Sequence, residues 1–249
     1  MKLAVLRFSA LGDMAASLPV LRALKIKPVI ITTPLGRELL KDEFSEFILL
    51  QDKKPVTMIK LAVEIRRAGF SDIIDLQSND RSKILTFFSG STVYGSKDIE
   101  MRQPATNIFA DIARKSGFLG QLDQSYKVCT SDYIVLNCGS SAKWLSKRLP
   151  DEKWIEISQV LNQKFNARIV LSGDRSEREY LERLAPKLAG TVDVVAGHTS
   201  IPELKELLQN AMLTVSTDSA AMHMSAVQKT PTIGIFGPTN WIRSAPWNP

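Results

Sequence analysis

The feature that most constrains this chain is a repeated alternation. Short apolar, β-branched runs are separated by longer stretches of helical periodicity. Lys2–Phe8, Pro28–Thr33, Glu46–Leu50, Ser71–Leu76 and Thr92–Tyr94 read as strands. Between them a helix follows Asp13 through Leu24, and others cover Thr57–Ala68, Asp80–Phe88 and Asn107–Ser116. Residues 117–131 are polar, glycine-punctuated and aperiodic, which reads as a linker. A second series follows, with strands at Tyr133–Asn137, Ala167–Leu171, Val192–Val195, Leu213–Ser216 and Pro231–Ile235. Its helices are expected over Trp154–Lys164, Arg175–Leu188, Ile201–Gln209 and Ser219–Val227. Short apolar runs alternating with helices belong to parallel sheets covered on both faces. The expectation is an α/β chain of two Rossmann-like, doubly wound domains, residues 1–130 and 131–249, facing each other across a cleft.

Charge and rare residues narrow the chemistry. The chain carries 32 Lys and Arg against 26 Asp and Glu, a net +6. Most of the excess lies in residues 1–130, with 19 basic and 14 acidic side chains. An N-terminal half that favours anions suits nucleic acid, a phosphorylated lipid or an anionic membrane face, the alternative being a modest solubility charge. No Arg-rich run or nucleic-acid motif accompanies it, so nucleic acid is not an expected partner. Cys129 and Cys138 are too few for a disulfide framework and read as inert thiols. With only His198 and His223 besides, no metal site is expected. No apolar run nears the ~20 residues of a membrane-spanning helix, and Arg7 interrupts the N-terminal run before a signal-peptide core forms. The expected location is cytoplasmic.

Three loops at strand ends carry the candidate chemistry. In Ser9–Asp13, Gly12 relaxes a turn and Asp13 either caps the next helix or is a carboxylate kept ionised by the helix start, able to act as a general base. The stretch from Asn137 to Pro150 combines Gly139, Ser140 and Ser141 with Lys143, Lys147 and Arg148, either an anion-binding lip or a solvated basic loop. In Ser216–His223 a strand runs directly into a helix. Its Ser219 and Ala220 amides form a phosphate site, or else Asp218 or Ser219 is a plain cap and His223 a packed core histidine.

These residues also carry a family resemblance. Leu6 through Asp13 with Pro19 resembles the opening strand, S-x-x-G-D loop and helix of glycosyltransferase family 9, the ADP-heptose:lipopolysaccharide heptosyltransferases. Gly139-Ser140-Ser141 with Lys147-Arg148-Leu149-Pro150 and Trp154 is similar to the family's K-x-W-P loop, with Leu149 in the aromatic's place. Gly197 through Leu204 resembles its G-x-T-S-L-x-E-L turn. Asp218 through Ala226 followed by Phe236-Gly237-Pro238-Thr239 resembles its D-S-G-x-x-H-x-x-A…F-G-P-T signature, with Ala220 in place of glycine.

The resemblance implies the GT-B fold, an N-terminal domain for the acceptor and a C-terminal domain for the ADP-sugar. It implies an inverting transfer of heptose from ADP-heptose to the phosphorylated Kdo–lipid A inner core, at the cytoplasmic face of the inner membrane, with no obligatory metal and no cofactor. By the same resemblance Asp13 is the base, and Lys147, Ser140, Ser141, Ser219 and Ala220 hold the diphosphate. Glu177 grips the ribose, Thr199 lines the adenine pocket, and Asp218 and His223 shape the donor pocket. The chain ends at Pro249, just past the F-G-P-T turn, where family members continue. The expectation is a C-terminal domain without the usual tail, through truncation, natural shortness or decay. A non-catalytic nucleotide- or glycan-binding member of the same fold is the alternative. An oxidoreductase is disfavoured because no GxGxxG and no acidic residue ending the second strand are present.

Overall fold

A computed structural model describes residues 1–125, 127, 131–139 and 146–247. The chain divides into two compact units, Met1–Asp123 and Gln124–Pro249, and the division falls inside the stretch read as linker.

The first unit is built on five parallel strands: β1 (Leu3–Leu6), β2 (Val29–Thr32), β3 (Phe47–Leu49), β4 (Asp72–Asp75) and β5 (Thr92–Tyr94). Their order across the sheet is β3-β2-β1-β4-β5, with Val5 opposite both Ile30 and Ile74. Every residue of β1 and β2 is buried, as expected of strands covered on both faces. The helices are α1 (Leu11–Arg22), α2 (Pro34–Leu40), α3 (Pro55–Ala68), α4 (Asp80–Phe87) and α5 (Ala105–Lys115). α1 packs against α5, tied by the Thr106 hydroxyl donating to the Ala16 carbonyl at 2.8 Å. α3 and α4 lie side by side, and their Leu61, Ile65 and Leu85 join Ile31 and Ile73 in one core. α3 stops at Gly69, whose φ of 63° is the left-handed region that glycine enters at no steric cost.

The second unit repeats the plan. Its strands are β6 (Tyr133–Asn137), β7 (Arg168–Leu171), β8 (Val192–Val194), β9 (Leu213–Thr217) and β10 (Thr232–Ile235), all parallel, in the order β10-β9-β6-β7-β8. The helices are α6 (Asp151–Phe165), α7 (Arg178–Leu184), α8 (Ile201–Asn210), α9 (Ala220–Val227) and α10 (Trp241–Ser244). Trp154 of α6 is buried in the core with Leu136, Leu171, Leu181 and Val215. α8 starts with a reciprocal cap: Ser200 Oγ accepts from the Glu203 amide, and Glu203 Oε2 accepts from the Ser200 amide at 2.7 Å.

α2 and α7 differ from the sequence-based expectation. No helix is expected from the sequence over Pro34–Leu40, yet Pro34 opens one and Thr33 caps it. α7 begins at Arg178, because Asp174 Oδ1 accepts from the Ser176 and Glu177 amides and turns the chain first. It ends before a 3-10 turn at Ala185–Lys187, where Pro186 cannot continue the ladder.

Both sheets reverse winding direction once. In the first the chain winds outward from β1 through β2 and β3, then returns to place β4 on β1's other side. In the second it winds from β6 through β7 and β8, then returns to place β9 beside β6. The crevices outside the carboxyl ends of β1/β4 and of β6/β9 are therefore where each sheet favours a ligand.

Candidate active site

In the second unit the β6/β9 crevice is lined by a continuous polar network. Asn137 ends β6 and donates to the Ser172 carbonyl at 3.1 Å, while its Oδ1 accepts from Ser219 Oγ at 3.1 Å. Ser216 and Ser219 hydroxyls share a 2.9 Å bond. Thr217 Oγ1 donates to the Gly139 carbonyl at 2.6 Å, fixing the chain as it leaves β6. Ser219 caps α9, its hydroxyl accepting from the Met222 amide. Asp218 is therefore presented immediately before a helix start, where the positive end of the macrodipole favours anions.

Lys147 meets Asp218 there. Its ammonium donates to Asp218 Oδ2 at 2.8 Å, with side-chain exposures of 19% and 8%. The two residues are 71 positions apart and lie on the loops after β6 and β9. The Phe236–Thr239 turn packs beside them. A Cβ at Gly237 would stand 3.3 Å from the Ser146 carbonyl, so glycine permits that approach. Ala220 is the first residue of α9 and is not among the positive-φ residues, so its methyl imposes no backbone strain.

Glu177 sits at the next strand end. Its carboxylate is buried between two glycines: a Cβ at Gly139 would lie 1.9 Å from Oε1, and one at Gly173 would lie 2.9 Å from Oε2. The Asp174 amide donates to Oε2 at 2.8 Å. Thr199 lies between β8 and α8, beyond β7, at the far side of the sheet from Asp218. His223 is buried within α9. The structure thus brings Lys147, Asp218 and Ser219 into one cluster, with Ala220 next in the chain, and sets Glu177 and Thr199 progressively further along the strand ends. Ser140 and Ser141 lie outside the described residues, as does Cys129. Cys138 is buried, and desolvation pushes its thiol well above the ordinary range, with the charges of Asp151 and Glu177 adding to the effect.

In the first unit the β1/β4 crevice holds Asp13. It does not cap α1: Ala10 occupies that position and no side chain caps the helix. Instead Asp13 Oδ2 accepts from Arg7 Nη2 at 2.6 Å. Arg7 follows β1, donates through Nη1 to the Leu76 carbonyl at 2.5 Å, and stacks 4.9 Å above the Phe109 ring. Gln77 Oε1 accepts from the Phe8 and Ser9 amides, tying the two loops together. Asp75 ends β4, is buried, and accepts from Ser82 Oγ at 2.6 Å and from the Gln77 and Ser78 amides. Burial raises its pKa, against the lowering effect of those hydrogen bonds and of the Arg7 charge. A cavity of about 630 Å³ opens beside it, lined by Ser78, Lys83, Phe87, Ser96 and Lys97 among others.

Sequence reasoning missed Arg7 as the partner of Asp13 and Asn137 as the centre of the second network. A positive residue closing β1 and a polar one closing a buried strand were the available signals. Among the described residues no group of three or more His, Cys, Asp or Glu is placed to hold a metal ion.

The sequence profile of glycosyltransferase family 9 (heptosyltransferase) matches residues 104–249. The lipopolysaccharide core heptosyltransferase OpsX of Haemophilus influenzae is 28% identical over 129 residues, 51% of this chain and 36% of its own length. The match thus spans about a third of that relative. Among solved structures, the fold is similar to a family 9 glycosyl transferase of Veillonella parvula, with a TM-score of 0.82, 17% identity, and coverage of 99% of this chain and 83% of that one. It is also similar to the E. coli heptosyltransferase WaaC solved with ADP, with a TM-score of 0.80, 20% identity, and coverage of 100% and 91%. These likenesses establish the fold as two parallel-sheet α/β units of the GT-B class.

Proposed function

Because the chain belongs to glycosyltransferase family 9, the heptosyltransferases, we propose that it is an inverting glycosyltransferase moving heptose from ADP-heptose to the phosphorylated Kdo–lipid A inner core. The observation that carries this reading is the Lys147–Asp218 pair at the β6/β9 switch point, beside the amides that open α9. A diphosphate bound there is met by a cation and a helix start together. From β9 through β6 and β7 to β8 is three inter-strand spacings, roughly 14 Å, which suits an extended nucleoside diphosphate. Along that line Glu177 is the candidate ribose partner and Thr199 the candidate adenine neighbour. Ser140 and Ser141 complete the proposed diphosphate lip, and Asp218 and His223 shape the pocket.

In the proposed reaction Asp13 accepts the proton of the acceptor hydroxyl as its oxygen attacks the anomeric carbon of the heptose. The bond from that carbon to the ADP oxygen breaks, and ADP leaves with the electron pair, its growing charge met by Lys147 and the α9 amides. Arg7 holds the Asp13 carboxylate in place. The cavity with Lys83 and Lys97 is the candidate seat for a phosphate of the acceptor. Such an acceptor would bring the protein to the cytoplasmic face of the inner membrane as a peripheral protein.

Mass spectrometry after incubation with ADP-heptose and a Kdo–lipid A acceptor tests the proposal. The expected product is heavier than the acceptor by one heptosyl residue. An unchanged acceptor together with ADP binding would instead leave a nucleotide-binding protein.

A further inference from the structure

We propose that the outward face of α3 and α4 is a docking surface for an anionic lipid bilayer. It deepens the peripheral placement above and names the surface responsible, yet stands on exposure and charge without needing sugar transfer. The inner faces of the two helices enter the core through Leu61, Ile65 and Leu85. Their outer faces are also apolar. Val56, Ile59 and Val63 repeat along α3, and Ile84 and Phe87 follow on α4, all exposed. Phe87 and Phe88 are 79% and 60% exposed and form an edge-to-face pair with centroids 4.9 Å apart. Exposed apolar side chains gathered on the outer faces of two neighbouring helices mark an interaction site.

The charges around it choose the partner. Lys53, Lys54, Lys60, Arg67, Arg81 and Lys83 are all exposed on or beside these helices. Arg66 joins the helix ends, donating to the Phe88 carbonyl at 2.8 Å. Over residues 53–88 there are seven basic and four acidic side chains, and two of the acids, Asp72 and Asp75, are not exposed. Protein interface cores are depleted in lysine. A leaflet containing anionic lipids draws in such cations, whose stems lie along the apolar stripe while their heads reach lipid phosphates. Phenyl rings on the same face enter the acyl boundary. No helix among the described residues is long and apolar enough to cross a membrane, so contact through this face is interfacial. Lys83 and Phe87 also line the 630 Å³ cavity, so docking sets its mouth at headgroup level.

Co-sedimentation of the full chain with vesicles tests this. One set is pure phosphatidylcholine and the other contains roughly a third phosphatidylglycerol. The expected result is binding to the anionic vesicles, little to the neutral ones, and release by salt. Phe87→Ser with Phe88→Ser should lower partitioning at least about tenfold. Lys60→Glu with Arg67→Glu should do the same. Circular dichroism and melting confirm folding, and the charge pair carries the test if the phenylalanine pair unfolds the chain. Three outcomes overturn the proposal. Folded variants bind like wild type, or wild type stays in solution with both vesicles. Alternatively, wild type is a dimer that the phenylalanine substitutions dissociate, with no vesicle binding.

Discussion

The ammonium of Lys147 is already spoken for: Asp218 holds it at 2.8 Å, and any diphosphate must share it. Lys147→Ala should weaken ADP binding by ~1.5–3 kcal/mol through the lost charged hydrogen bond, and leaves the buried Asp218 carboxylate facing the ligand. Adding Asp218→Asn removes that repulsion. Calorimetry should therefore find the double variant binding ADP more tightly than Lys147→Ala alone. Additive losses would show that the pair does not act on the ligand as a unit. At Asp13 the decisive change is to Asn, which keeps an oxygen for Arg7 but cannot take a proton. Turnover should fall by ~10²-fold or more with donor affinity unchanged, and stability should drop by only about 1 kcal/mol, since Arg7 keeps Leu76 and Phe109. A kcat within a few-fold of wild type would remove Asp13 from the chemistry. Asp75 offers a pH test. Burial raises its pKa in the folded state, so the neutral acid is the better-tolerated form. Protonation therefore stabilises the fold fully below the ordinary aspartate pKa of about 4, and that contribution is lost as pH rises through the elevated value. Relative to Asp75→Asn, which does not titrate, the wild-type melting temperature should be highest in acid and decline upward from there. A difference that stays flat with pH would mean the burial does not penalise the charge.

At the level of elements, the strand ends are shaped by glycines more than by the charged residues near them. A methyl at Gly139 would overlap Glu177 Oε1, so Gly139→Ala should destabilise the chain by ~1–3 kcal/mol in urea unfolding. In a Glu177→Ala background, where the obstruction is gone, the same substitution should cost little, and an undiminished cost would place the strain elsewhere. This steric relation was not legible in the sequence, because nothing local links residue 139 to residue 177. The same holds for Arg7 with Leu76 and for Asn137 with Ser219, pairs 69 and 82 positions apart that only the sheet order brings together. What could be read were features carried by neighbouring residues. Tyr133–Asn137 and Thr92–Tyr94 matched as strands to the residue, and the helix expected from Ile201 starts there as α8. α2 carries a proline and a glycine, residues that mark a turn in most settings. Here Gly36 is needed for a different reason, since a Cβ would strike Thr32 and Met14. The motif residues Lys147, Asp218 and Ser219 were legible through family resemblance, but their ion pair and hydrogen bonds were not.

At the scale of the whole molecule, the two units carry separate tasks in the proposed reaction, so donor binding should follow the second unit's features alone. Titration of the full chain should show ADP preferred to UDP, with Asp13→Asn and wild type indistinguishable. Equal affinity for the two nucleotides, or none up to millimolar ligand, would count against the donor site. Strand order also sets the timing with which each sheet closes during synthesis. The middle strand of each sheet is the first of its unit to be made, β1 in one and β6 in the other. Lys2 at the edge of β1 hydrogen-bonds Ser71 at the edge of β4, 69 residues later. At about 5–20 residues per second, that partner leaves the ribosome roughly 3–14 s after β1 does. β6 waits longer still, since its neighbour β9 begins at Leu213. During synthesis β1 and β6 are therefore the interior strands left longest with an unpaired edge, and it is there that a nascent chain would most need a chaperone's cover.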